Sequence, residues 1–427
     1  MKAVLWVILP AVVFCQCISE DDNKVPAEGD ARLALIKGQQ RFSIDLLKIL
    51  NDQHAEQNIF FSPHSIYQSL LLSYIISSNH TEKAIQKALY LPETEVLPQN
   101  KLSIVQSYGL EKYFQYMREL NGSTDYEFST CNKMFIAENV KPRDCILKLL
   151  KDELETVNMK DTAAATHYVN SWVEEKTKRH IKELIPEDGI HEDTKAILAN
   201  AAYFKGLWKS RFLVENTKKN SLFYVSSDDI KIVDLMTQKG TFNHMTSEKL
   251  KAHILELPYK GDEVSMIIIL PRFENNAIDK LIQQLSEESL QDVIDFDSLF
   301  PRQVEVEMPK FFVEKSVDLR PIFDSLGLSE LFNSDADFST LTGDAETIHF
   351  SDAVHKAKVE VDEEGTVAAA ATAIFTFRSS RPLDPTRFIA NHPFVYFIYD
   401  KMSQNILFMG VYKVPDKKYR NGKKITS

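Results

Sequence analysis

Apolar residues recur at helical spacing through Leu33, Ile36, Phe42, Ile44, Leu46, Leu47 and Leu50, and this stripe predicts a long helix starting near Ala31 that packs rather than acts. Apolar positions three and four apart predict further helices over Pro63–Ile76, His80–Leu89, Leu102–Leu120 and Thr162–Ile181. Strand-like runs occupy Cys131–Ala137, Ala196–Phe204, Ala252–Glu256, Val264–Pro271, Val304–Phe312, Phe394–Asp400 and Ile406–Tyr412. A helix-rich first half and a strand-rich second half predict an α+β fold. Ser226-Ser227-Asp228-Asp229 and Gly261-Asp262-Glu263 read as turns, the second closing a hairpin between Leu257-Pro258-Tyr259 and Val264-Ser265-Met266.

One stretch, from Gly365 to about Arg387, carries no packing pattern although strands bound it, which predicts a long exposed loop of the kind that is usually functional. Its first part, Val361-Asp362-Glu363-Glu364-Gly365-Thr366-Val367-Ala368-Ala369-Ala370-Ala371-Thr372, is built of small residues with little β-propensity. Taken alone, the window also fits an exposed alanine-rich helix or linker, since alanine is the best helix former. As a strand it would place Thr366, Ala368, Ala370 and Thr372 on one narrow face, with Gly365 as a hinge in front.

The 427 residues are 44% hydrophobic and 26% charged, a globular composition. A formal charge of −11 argues against general nucleic-acid binding. Met1-Lys2 and the apolar run Ala3–Phe14 predict a secretory signal over residues 1–19, cleaved near Cys17 or Ser19, and hence a secreted, extracellular protein with no membrane span. Cys131 and Cys145 remain after cleavage and are expected to be unpaired thiols. Asn79-His80-Thr81 and Asn121-Gly122-Ser123 are sequons, so Asn79 and Asn121 are candidate glycosylation sites.

Catalytic and metal-binding signatures are missing: there is no G-x-S-x-G, H-E-x-x-H, P-loop or paired C-x-x-C, so neither enzymatic activity nor a metal or other cofactor is expected. The basic group Lys176, Lys178, Arg179 and Lys182 is interleaved with Glu174, Glu175 and Glu183, which favours a solvated helix face over a polyanion site. The tail 415–427, with Lys417, Lys418, Arg420, Lys423 and Lys424, reads as a solvating basic segment.

Six separated motifs, in order, give the chain a family resemblance. They are Asn58-Ile59-Phe60-Phe61-Ser62-Pro63-His64-Ser65-Ile66, Leu198–Trp208, Met308-Pro309-Lys310-Phe311, Ala353-Val354-His355-Lys356-Ala357, Asp362–Thr366, and Asn391-His392-Pro393-Phe394 with Phe408-Met409-Gly410. The chain resembles a serpin, a serine protease inhibitor, as a single domain over about 31–414. The resemblance implies helices packed on a large mixed sheet with further sheets, and an exposed reactive loop, about 363–387, that a protease attacks. The loop's first half then enters the sheet as a new strand, trapping the protease as a suicide complex. It also implies roles for Ser62, Ser65, Asn200 and His355 as a polar cluster where the sheet opens, for Trp208 at the point of first insertion, and for Glu363 with Lys310 as a partly exposed ion pair at the loop base.

Serpins of usual loop length are cut fourteen residues after the hinge glycine, which selects Ser379-Ser380 and an elastase-like target. The neighbouring bond Arg378-Ser379 offers a guanidinium suited to the acidic pocket of trypsin-like proteases, and is the preferred reading. The implied partner is an extracellular serine protease engaged by a monomer, and the resemblance extends to insect haemolymph serpins of innate immunity. A non-inhibitory serpin, acting as carrier or chaperone, is the alternative.

Overall fold

The protein is described by a computed structural model over residues 28–92, 101–120, 126–295, 299–343, 347–363 and 385–415, and the structural statements that follow concern these residues. The expected signal 1–19, Asn121, most of the expected reactive loop and the tail from 416 lie outside them.

Six helices build the described part of the first half. The long helix α1 spans Glu28–Gln53, and after the short strand β1 (Ile59–Phe61) comes α2 (Pro63–Ile76), in which every residue is buried. A helix buried on all sides belongs to the interior of a protein, and α2 begins with Ser62 capping it and Pro63 in its first turn. Then follow α3 (Asn79–Ala88), α4 (Lys101–Leu120), strand β2 (Tyr126–Ala137), the one-turn α5 (Asp144–Leu149), β3 (Leu154–Val157) and α6 (Thr162–Lys176).

The remaining strands are β4 (Ala196–Gly206), β5 (Lys218–Tyr224), β6 (Ile230–Ser247), β7 (Ala252–Pro258), β8 (Val264–Pro271), β9 (Phe300–Pro309), β10 (Phe311–Asp318), β11 (Asp352–Val361), β12 (Thr386–Ile389), β13 (Phe394–Asp400) and β14 (Asn405–Tyr412). They form two sheets. One runs β1-β14-β13-β8-β7-β6-β9-β12 with β5 paired to β6, and the other runs β10-β11-β4-β2-β3. The predicted hairpin joins β7 and β8, its turn using Gly261 and Asp262 at positive φ.

Three expectations are corrected. Val304–Phe312 is not one strand: the chain passes from β9 to β10, and from one sheet to the other, at Lys310, where Pro309 has no N–H to continue a ladder. The helix from Thr162 ends at Lys176, where Thr177 caps it. Cys145 is disulfide-bonded, whereas Cys131 is a free, buried thiol whose pKa burial pushes up to about 12.

Candidate functional site

Strand β11 alternates buried and partly exposed residues along its whole length, turning Ala353, His355, Ala357, Val359 and Val361 inward and Val354, Lys356, Lys358 and Glu360 outward. It lies directly beside β4, and the two are parallel over eight register pairs, from Asp352↔Ile197 to Val359↔Phe204. Parallel neighbours that are far apart in sequence leave a seam into which one further strand, antiparallel to both, fits without reversing either. Alanines line it: Ala199, Ala201 and Ala202 on β4 and Ala353 and Ala357 on β11, all fully buried.

A row of polar side chains crosses the middle of this sheet. His355 of β11 and Asn132 of β2 are both register partners of Asn200 on β4, so three adjacent strands each contribute one buried group. The amide of Asn200 donates to Asn132 Oδ1 (2.8 Å) and to Ser69 Oγ (2.8 Å), and Ser65 Oγ donates to the same Asn132 oxygen (2.6 Å). His355 Nδ1–H donates to Asn200 Oδ1 across the seam itself, while its Nε2 accepts the Ser62 N–H (3.0 Å). The start of α2 supplies the lower partners because Ser62, Ser65 and Ser69 lie one turn apart. Complete burial lowers the His355 pKa to about 3, so the ring is neutral, with both nitrogens committed and none left for acid–base chemistry.

The outer face of the seam is bridged as well. After α6 the chain crosses the sheet, stacking His180 on Tyr203 of β4 (3.7 Å between ring centroids). Two lysines of β11 reach up to it, Lys356 Nζ donating to the Glu183 carbonyl (2.8 Å) and Lys358 Nζ to that of His180 (3.1 Å).

At the top of the seam the end of β11 is anchored on four sides. Trp208, buried and stacked on Tyr259 (4.5 Å), donates its Nε1–H to the Asp362 carbonyl (2.9 Å), and the Phe212 N–H donates to that of Glu363 (3.1 Å). Because Phe311 pairs with Val361, the preceding Lys310 is carried beside Glu363, and its Nζ lies 2.8 Å from Oε1. Thr217 Oγ1 donates to the same oxygen (2.7 Å). Burial alone would raise the Glu363 pKa, but the hydrogen bonds from Lys310 and Thr217 outweigh it and hold the carboxyl below its usual range. The pair was expected to be partly exposed, yet the side chains are only 15% and 8% accessible, so Lys310→Met strands a buried carboxylate. It is expected to cost about 2 kcal/mol, read as a fall in denaturant midpoint at pH 7.

Ser62, Ser65, Asn200 and His355 are thus brought into one network, and Trp208, Lys310 and Glu363 into another at the loop base. Asn132, Ser69, Gln68 and Thr217 were not anticipated. β11 ends at Val361, and the next described strand, β12, belongs to the other sheet, where Thr386 pairs with Val304 of β9. Gly365, Thr366, Ala368, Ala370, Thr372, Arg378, Ser379 and Ser380 fall in the interval outside the described residues. Asn79 is exposed at the start of α3.

A family model described as "Serpin (serine protease inhibitor)" matches residues 37–415. The chain belongs to the serpin family. It is 37% identical to serine protease inhibitor 88Ea of Drosophila melanogaster, covering 96% of this chain and 97% of that protein, and 35% identical to the leukocyte elastase inhibitor of Sus scrofa, covering 87% and 96%. Among solved structures it resembles Serpin48 of the insect Tenebrio molitor, described as a highly specific serpin, with a TM-score of 0.74 at 26% identity over 90% of this chain and 99% of that one. The serpin is therefore related to protease inhibitors rather than to enzymes, and its seam is the element on which a functional reading rests.

Proposed function

We propose that this serpin is a secreted suicide-substrate inhibitor of trypsin-like serine proteases, cut at Arg378-Ser379. The parallel contact of β4 and β11 supports the reading most directly: a segment that follows β11 and folds back beside it is antiparallel to both flanking strands, and the loop residues from Thr366 onward occupy that place in the chain. Small side chains at Thr366, Ala368, Ala370 and Thr372 suit an alanine-lined slot, and neither a charge nor a proline interrupts Thr366–Thr372. Attack on the loop bond forms an acyl-enzyme, and insertion must carry it away before water releases it. The row His355–Asn200–Asn132 holds the seam shut until then with neutral hydrogen bonds, which break and reform at little net cost.

A second reading, an elastase-like target cut at Ser379-Ser380, is favoured by the likeness to a leukocyte elastase inhibitor. Incubating the mature protein with trypsin and with elastase, and sequencing the peptide released from the complex, separates them. A peptide beginning at Ser379 is expected with trypsin, and Arg378→Ala is expected to reduce the trypsin association rate at least about 100-fold, the scale of losing a charge-assisted bidentate contact. A peptide beginning at Ser380, formed with elastase alone, supports the second reading. Cleavage without a covalent complex points to the non-inhibitory carrier or chaperone instead.

A further inference from the structure

Residues of α1, α2, α4 and the β13–β14 turn line a cavity of about 360 Å³, within the usual range for small-molecule sites. Leu35, Ile36, Tyr67 and Leu110 give it an apolar wall. Its polar side is made by His64, Gln68 and Glu111, while Arg32, the one basic side chain of the lining apart from His64, is exposed at the rim. The anionic group therefore sits deeper than the cationic one.

That polar side is continuous with the row across the sheet. Asn132 Nδ2 donates to Gln68 Oε1 (2.9 Å), which leaves Gln68 Nε2 to donate to His64 Nε2 (3.0 Å). The other side of the His64 ring then faces Glu111, with Nδ1 and Oε1 3.9 Å apart, and the same carboxylate oxygen accepts from Asn405 Nδ2 (2.7 Å). A single chain of side chains, Glu111, His64, Gln68, Asn132, Asn200 and His355, thus joins the cavity to the contact that bridges β4 and β11. Gln68 and His64 are 1% and 5% exposed, so neither can turn to solvent when a partner moves.

We infer that this cavity binds a small amphipathic organic amine, its ammonium on Glu111 and its apolar body against Leu35, Ile36 and Leu110, and that occupancy holds the β4–β11 seam closed. The coupling half rests on the insertion reading above. A ligand that fits the cavity of the closed sheet shifts the equilibrium towards that sheet, and by reciprocity opening the seam weakens the ligand. The occupied protein inserts its loop more slowly and releases more protease by hydrolysis.

The test uses 4-phenylbutylamine, with 4-phenylbutanol and 4-phenylbutyrate as neutral and anionic probes sharing its apolar body, titrated calorimetrically into the mature protein. The amine is expected to bind at one site, about tenfold more tightly than either control, and to lose that preference in Glu111→Gln, which keeps an acceptor for Asn405. Leu110→Trp, which fills the cavity, guards against a misfolded first variant and is expected to abolish binding. Equal binding of the three probes, or an unchanged preference in Glu111→Gln, overturns the site. For the coupling, the insertion rate of a synthetic peptide matching Thr366–Phe377 is followed with and without saturating amine, and a slowing of about fivefold is expected, at the lower end of allosteric couplings. An unchanged rate with the amine bound overturns the coupling. A peptide that does not insert even into the free protein refutes the inhibitory reading instead, and the calorimetric series still decides the site.

Discussion

Thr366→Arg is expected to turn the proposed inhibitor into a substrate. Thr366 is the first residue after the hinge Gly365 and the first of the alternate positions Thr366, Ala368, Ala370 and Thr372 that would face into the sheet. Insertion must part β4 from β11 at the end where Trp208 and Lys310 hold Asp362 and Glu363, so this side chain meets the buried interior before any new ladder has formed to offset it. Burying an unpaired guanidinium there costs several kcal/mol. Adding even about 3 kcal/mol to the insertion barrier slows that step by more than about 100-fold, while deacylation by water is unaffected. The variant should be cleaved at the same bond and at the same initial rate as wild type but leave active protease and no covalent complex, measured as moles of inhibitor consumed per mole of protease lost. Full trapping by Thr366→Arg would mean that the loop does not enter the sheet this way round.

Acidification should loosen the closed sheet through His355. Its Nε2 faces an N–H donor from Ser62, so a proton on that nitrogen has no acceptor, and burial holds the folded pKa at about 3 against 6.5 for a free imidazole. The sign follows from proton uptake. Above pH 6.5 the ring is neutral in both the closed and the unfolded states, and its contribution is fully present. Between 6.5 and about 3 the unfolded chain binds a proton that the closed sheet excludes, so stability falls with pH by up to about 1.4 kcal/mol per unit. Below 3 this group adds nothing further. His180, His244, His253 and His392 are also shifted downward by burial and contribute in the same direction, so the difference between wild type and His355→Gln isolates the one ring. Denaturant midpoints between pH 7.5 and 4.5 should converge as pH falls, with the variant's profile the flatter. Parallel profiles would remove His355 from the account.

How far the sequence anticipates this molecule depends on where each contact comes from. Strands β8, β13 and β14 are legible because they are buried throughout and therefore read as largely apolar runs, and α2 is legible from its apolar positions three and four apart. β11 carries little strand signal in the sequence, since its inward residues include the small Ala353 and Ala357 beside His355, and its outward Lys356, Lys358 and Glu360 are polar. β6 is hidden by its length: over 18 residues it passes from an exposed start beside β5, through a buried stretch beside β9, to an end of mixed burial beside β7, so no single periodicity describes it. At the site, Ser62, Ser65, Asn200 and His355 came from family motifs rather than from any local pattern. Asn132 carries no motif, and its role follows only from the register that sets it opposite Asn200, 68 residues away. The Lys310–Glu363 pair looked exposed because nothing local reveals that β10 pairs with β11 and buries it.

If the seam between β4 and β11 accepts the loop as a strand, as proposed, cutting the loop without trapping a protease isolates that step. Limited proteolysis within 373–384, by an enzyme that is then removed, frees the segment after Gly365 to insert. Comparing the thermal midpoints of intact and cleaved protein at pH 7.5 should show the cleaved form moving into the hyperstable range, above about 90 °C, as new hydrogen-bond ladders form on both sides of the inserted strand. A cleaved form that melts at the midpoint of the intact protein would contradict the account.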